Sequence, residues 1–139
     1  MKTLSLIIAL LVGILFTNAQ EEKTQDITVT IDNVLNNNGK VLIALHSSET
    51  FMKAQAIQGT ATEIENGTVS YTFKNVTPGV YAILALHDEN ENNRMDYADS
   101  GMPKEAYAMS NNPISYGPPR FEDAKFEVAN QNLELKLRF

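Results

Sequence analysis

The chain has no cysteine and no tryptophan, and only two histidines, in 139 residues. The missing cysteines exclude thiol nucleophiles, disulfides, thiolate metal sites and a lipidated N-terminal cysteine. The histidines, His46 and His87, are too few for a histidine-rich metal centre or a proton relay. Positive charge is scarce too: 11 Lys and Arg stand against 17 Asp and Glu, a formal net charge of −6. That balance argues against nucleic-acid binding, which needs a basic patch to displace counterions from phosphates. No segment offers a helix long enough to cross between two parallel strands. The length allows one domain, or one domain and a targeting segment.

One apolar stretch does stand out, at the N-terminus. Residues 1–19 read MKTLSLIIALLVGILFTNA. Lys2 supplies a short positive flank, Leu4 to Phe16 are apolar or small, and Ala19 is the small residue a signal peptidase accepts. The run is shorter than the ~20 residues that span a bilayer. It is therefore expected to be a cleaved signal peptide, with an exported chain, periplasmic or secreted, and no membrane span after cleavage. Cleavage removes Lys2 and no acid, so the charge of −6 moves one unit further negative. Residues 20–26 (QEEKTQD) read as a short linker, and 27–139 as a single domain. Exported domains often carry disulfides. Without them, this one must be held by its core or by a metal.

Beyond residue 26 the dominant period is two, the mark of strands with one face buried. Ile27, Val29 and Ile31 alternate with Thr28 and Thr30; Val69, Tyr71 and Phe73 with Ser70 and Thr72. Ala124, Phe126 and Val128 alternate with Lys125 and Glu127; Leu133, Leu135, Leu137 and Phe139 with Glu134, Lys136 and Arg138. Residues 41–46 and 80–86 (VYAILAL) are apolar on both faces, as central strands are. Asn66-Gly67, between Thr62–Glu65 and Thr68–Phe73, predicts a β-hairpin, because a type I′ turn needs two positive φ angles. Asn38-Gly39 gives the same signal, and Pro78-Gly79 suits a type II turn. The only helical turn suggested is Phe51–Ile57. The expected fold is all-β: an antiparallel β-sandwich of about seven strands with one long functional loop over 88–120.

That loop carries the most specific chemistry. Asp88, Asn90, Asn92, Asp96 and Asp99 place side-chain oxygen at positions 1, 3, 5, 9 and 12 of an EF-hand-type calcium loop. Arg94 stands at position 7, where the ligand is a backbone carbonyl. Asn93 stands at position 6, which needs positive φ and tolerates Asn next after Gly. Met95, at position 8, is apolar and could anchor the loop to the core. Position 12 is Asp99 rather than the longer bidentate Glu, so Glu105 is a candidate to complete the shell and His87 to support it from behind. Calcium is the expected ion; magnesium keeps more of its own water. The competing reading is a solvated turn, rich in Asn and Asp because turns favour them.

The run Pro78, Gly79, Tyr81, His87, Asp88, Asn90, Asn92, Asp96, Gly101, Pro103, Glu105, Ser110 and Asn111 resembles domain-of-unknown-function family 2141, exported bacterial proteins. The resemblance covers nearly all of the chain after the signal segment and is most specific over 78–111. Ala106, Ala108 and Asn93 stand where that family often has Gly. It implies no activity. Its turn-into-strand pattern is similar to transthyretin-like and carboxypeptidase-regulatory-like sandwiches, an analogy of fold alone.

Three functions are compatible with these residues. The first is a non-enzymatic binding or interaction module with a calcium loop at 88–99. Its partner, a protein or a small ligand, would meet the aromatic and Pro-rich segment 102–121. The second is a hydrolase-like enzyme using 87–112, with His87, Asp88, Glu105 or Ser110 as players, although no G-x-S-x-G elbow is present. The third is a structural module without an ion. His46 and His87 would share a metal only if their strands ended at the same rim.

Overall fold

A computed structural model of the chain describes residues 22–114 and 116–139. The expected signal peptide lies outside the described residues. Eight strands are present among them: β1 (Gln25–Ile31), β2 (Lys40–His46), β3 (Gln58–Thr62), β4 (Val69–Val76), β5 (Gly79–Asp88), β6 (Tyr107–Met109), β7 (Phe126–Val128) and β8 (Leu133–Leu137). One four-residue helix, α1 (Phe121–Ala124), precedes β7. The first strand begins inside the stretch read as linker. No helix of the described residues is long and apolar enough to cross a membrane.

The strands form two sheets, and the expected β-sandwich is what results. One sheet has the order β4-β1-β8. The other has the order β3-β2-β5-β6, with β7 sharing the free edge of β5. All pairings are antiparallel except β1 with β8, which run parallel with Ile27 opposite Leu133. A parallel pair needs a long connection. Here the rest of the sandwich supplies it, because β1 and β8 are the two ends of the described chain. Strand β6, only three residues long, has no sequence period of its own to mark it.

The turn signals are correct locally and misleading at longer range. Asn66 and Gly67 both have positive φ (51° and 73°), as a type I′ turn requires. Glu65 and Thr68 exchange backbone hydrogen bonds of 2.9 and 3.0 Å. The hairpin stops there. Strand β3 leaves to pair with β2, and β4 pairs with β1 in the opposite sheet. The physical reason is burial: Val69, Phe73 and Val76 enter the core, whereas QGTAT has no large apolar side chain and serves as an edge. Asn38-Gly39 likewise joins β1 to β2 across the sheets and makes no hairpin. Gly79 does not have the positive φ of a type II turn. Instead the Tyr81 hydroxyl donates to the Thr77 carbonyl at 3.0 Å and pins the crossing from β4 to β5.

Between the sheets lies the main core, with Ile27, Val29, Ile31, Phe73 and Leu137 facing Val41, Ile43, Leu45 and Ile83. Strands β2 and β5 alternate between that core and the outer face of their sheet. On the outer face, Leu42 pairs with Leu86, Ala44 with Leu84 and His46 with Ala82. One end of this face is covered. Phe51, Ala82, Met109 and Ala124 form a second small core there, and Leu84 and Phe121 pack against it. Phe51 meets His46 and Phe121 edge to face, at 5.9 and 5.7 Å. The expected turn at Phe51–Ile57 is part of this cover, with Phe51 N–H bonded to the Ser47 carbonyl and Ala54 N–H to that of Thr50. The other end of the outer face stays open.

Candidate functional site

Strand β5 leaves the sheet at Asp88, and the backbone then turns tightly. Asp88 is 1% exposed and caps the turn: Oδ1 accepts from Asn92 N–H at 3.1 Å and Oδ2 from Asn93 N–H at 2.7 Å. Asn90 Oδ1 accepts from Asn92 N–H, and Asn92 Oδ1 from Arg94 N–H, each at 3.1 Å. These side chains thus do what Asx residues do in turns. Asn93 has the positive φ expected of position 6 (62°), and Glu91 has one as well (58°).

Asp96 is where the loop converges. Its Oδ2 accepts from the Asn90 amide at 2.6 Å and the Asn92 amide at 2.9 Å. Those two bonds, helped by the charges of Arg94 and Lys104, hold its carboxyl below the ordinary carboxylate range. Arg94 Nε lies 3.8 Å from Asp96 Oδ1. Asp99 stands apart from this convergence. It is exposed, on a separate turn closed by Gly101 N–H to the Ala98 carbonyl and Ala98 N–H to that of Met102. Among the described residues, no group of three or more His, Asp or Glu is arranged to hold a metal ion.

Glu105 ties the loop to the sheet. It is 8% exposed, and its carboxylate accepts two backbone N–H groups, Glu89 through Oε1 and Asp96 through Oε2, both at 3.1 Å. His87, 1% exposed, donates from Nε2 to the Asn38 carbonyl at 2.8 Å and lies on the Phe139 ring at 6.0 Å. Gly39 is required at this crossing. A Cβ there would sit 2.0 Å from the Asp88 carbonyl oxygen, and its φ is +65°. The motif Asn38-Gly39 therefore lets one inter-sheet connection pass against the root of the loop.

Histidine chemistry is not assembled. In the antiparallel register, Val41 lies opposite His87 and Ala82 opposite His46. The two rings are thus about five residues apart along the strands, roughly 17 Å. Ser110 is fully buried; its hydroxyl donates to the Ala124 carbonyl and accepts from Ile83 N–H at 2.9 Å. Ile83 is four residues from His87 along β5, about 13 Å. Ser110 and His87 do not meet. The following Asn111 and Asn112, both at positive φ (67° and 46°), also bind backbone. Asn111 donates to the Lys125 carbonyl, while Asn112 spans the Lys136 carbonyl and Arg138 N–H. Ser110-Asn111-Asn112 is a pin that fastens β6 to α1 and to the end of β8.

The loop also builds something its spacing does not suggest. Over the open end of the outer sheet face it walls a cavity of about 840 Å³. The floor is Leu42, Ala44, Leu84 and Leu86; the walls are Met95, Tyr97 and Gly101 to Pro103 on one side, Tyr116 to Pro119 on another and Met52 on a third. Met95 thus faces the cavity instead of anchoring the loop to the core. Among the described residues, no Asp, Glu, Lys or Arg lines the cavity. His46 is its one histidine, and burial pushes its pKa below the ordinary 6.5, against a smaller opposing hydrogen bond to Thr50. The sequence signal for this cavity was present, in outward apolar residues at 42, 44, 84 and 86. It reads equally as full burial, because periodicity does not say what covers a face.

Fold and site together define a class: a β-sandwich with an apolar sheet face walled by one long, internally bonded loop. The chain belongs to the family described as uncharacterized protein conserved in bacteria (domain of unknown function 2141), matched over residues 29–136. No curated protein and no solved structure gives a significant match.

Two outcomes follow from the geometry. Glu105→Ala should lower the unfolding free energy by about 3 kcal/mol, since two backbone donors lose a charged acceptor; Glu105→Gln should lose less. Urea denaturation measures both, and a loss under about 0.5 kcal/mol for the alanine variant would show that Glu105 does not hold the loop. Acidification should destabilise the fold through His46. The unfolded chain binds a proton near pH 6.5 and the folded chain only at lower pH. Stability from this residue is therefore full above pH 6.5 and drains as pH falls through the folded-state pKa. His46→Gln should flatten that part of the pH–melting curve.

Proposed function

We propose that the protein is an exported binding module that receives its ligand in the cavity on the outer face of β2 and β5. The supporting observation is the cavity itself. It is concave, about 840 Å³, and walled by three separate chain segments. Ligand sites of small molecules are commonly of this size and largely apolar. A binder fits better than a catalyst, because Asp88, Glu105, Asn90 and Asn92 spend their oxygens on loop backbone and none of these side chains lines the cavity. Export rests on the N-terminal signal pattern. In a thermal-shift screen of diverse small molecules, the compounds that raise the melting temperature should lose their effect in Leu86→Glu. Shifts that persist unchanged in that variant would place binding elsewhere.

A second reading, compatible with the first, is that the wall is stiffened by calcium. Asp96 Oδ2 already gathers the Asn90 and Asn92 side chains within 2.9 Å. Rotating those amides, with loss of the bonds their Oδ1 atoms now accept from Asn92 and Arg94 N–H, would present oxygens in place of N–H groups, toward the oxygen-rich shell that calcium takes. Asp88 and Glu105 would hold the turn from behind, and the Arg94 carbonyl is available at position 7. Calcium should then raise the melting temperature, with EDTA reversing the rise and Asp96→Asn abolishing it. No change up to about 10 mM, well above the ~1 mM constants of weak extracellular modules, would leave the loop a self-sufficient turn.

A further inference from the structure

We infer that the cavity over β2 and β5 takes one neutral, lipophilic small molecule. The inference rests on the binding reading above and adds the chemical class. Charge argues first. One residue in five of this chain is charged, yet none of the described residues lining the cavity is. An ionised ligand would give up its hydration there and find no partner. His46 adds no charge near neutral pH, because burial keeps its ring neutral. Carboxylates, phosphates and amines are therefore poor occupants.

Backbone pairing argues next, against an extended peptide. Peptides that bind sheets do so by adding a strand to an open edge. The floor strands have none. Strand β2 is paired on both sides, by β3 and β5, and β5 is paired by β2 and by β6 with β7. A peptide laid across this face would bury its own N–H and C=O groups unmatched. The side chains point the same way. Met52, Met95 and Met102 line the rim, three of the five methionines in the chain. Methionine is flexible and polarizable, and suits surfaces that adapt to varied apolar shapes. Tyr97, Tyr107 and Tyr116 add flat ring surface. Among the described residues, half of the exposed large hydrophobics (Met52, Tyr97, Met102 and Tyr116) stand around this one opening.

The test uses two dyes that share a skeleton and differ in charge. N-phenylnaphthylamine is neutral, and anilinonaphthalenesulfonate is its anionic relative. With the full folded protein, fluorescence titration should give one neutral dye per chain, bound at least about tenfold more tightly than the sulfonate. Ala44→Glu and Leu86→Glu should weaken the neutral dye by about tenfold or more. Ser70→Glu adds the same charge on the outer face of the other sheet and should leave binding unchanged. Circular dichroism melts check that the variants fold, and Met102→Glu on the exposed rim replaces any that do not. Equal or tighter binding of the sulfonate would overturn the neutral class and leave the binding reading intact. Failure of both dyes in a monomeric protein would overturn both. A concentration-dependent dimer that disappears in Leu86→Glu would overturn the small molecule in favour of a second copy of this chain.

Discussion

Strands β2 and β5 must bury apolar side chains on both faces, and the rest of the architecture answers that constraint. Their inward residues, Val41, Ile43, Leu45 and Ile83, close the sandwich against β1, β4 and β8. Their outward residues need a second cover that the opposite sheet cannot give. The chain supplies it in pieces: the Phe51 turn, the short helix and β6 over one end, and the long loop beside the other. Such a sheet differs from the usual antiparallel one, whose outer face is polar and solvated. Incomplete cover leaves the cavity.

A wall made of loop has to be held in shape without a core of its own. Here buried carboxylates and asparagine side chains do that work by accepting backbone N–H groups. Asp88 caps the first turn, Glu105 ties Glu89 to Asp96 across the root, and Asp96 draws in two amides. The bonds to Asp88 and Glu105 satisfy backbone donors that lack strand partners, those to Asp96 tie side chain to side chain, and the loop bends so sharply that Glu91 and Asn93 take positive φ. Acid-rich sequence here reflects backbone demand as much as any ligand demand. The same holds for Ser110, Asn111 and Asn112, whose side chains replace missing strand pairings at the edge of β8 and above α1.

Much of this architecture is legible in the sequence, and what is not shares one physical cause. Alternation at 27–31, 69–73 and 133–137 identifies which residues face the core, because the strand period is a property of the backbone alone. The apolar runs at 41–46 and 80–86 mark the central pair. Asn66-Gly67 locates a type I′ turn. It does not say that the arms diverge after a single pair, because pairing depends on which apolar faces compete for the same core. Asp88 and Glu105 stood out as acids in a patterned loop. That their oxygens would meet backbone N–H groups depends on a turn path that spacing leaves open.

Sequence by itself determined the local quantities: strand period, positive-φ turns, the acidic balance and the absence of cysteine chemistry. These follow from single-residue sterics and composition, which need no knowledge of neighbours distant in the chain. Only the tertiary structure decided that β3 and β4 separate, that β1 and β8 run parallel, that His46 and His87 lie far apart, and that apolar residues at 42, 44, 84 and 86 line an opening. Each of these is set by burial and hydrogen-bond satisfaction between segments remote in sequence, where the free energy belongs to the pair and to neither residue alone.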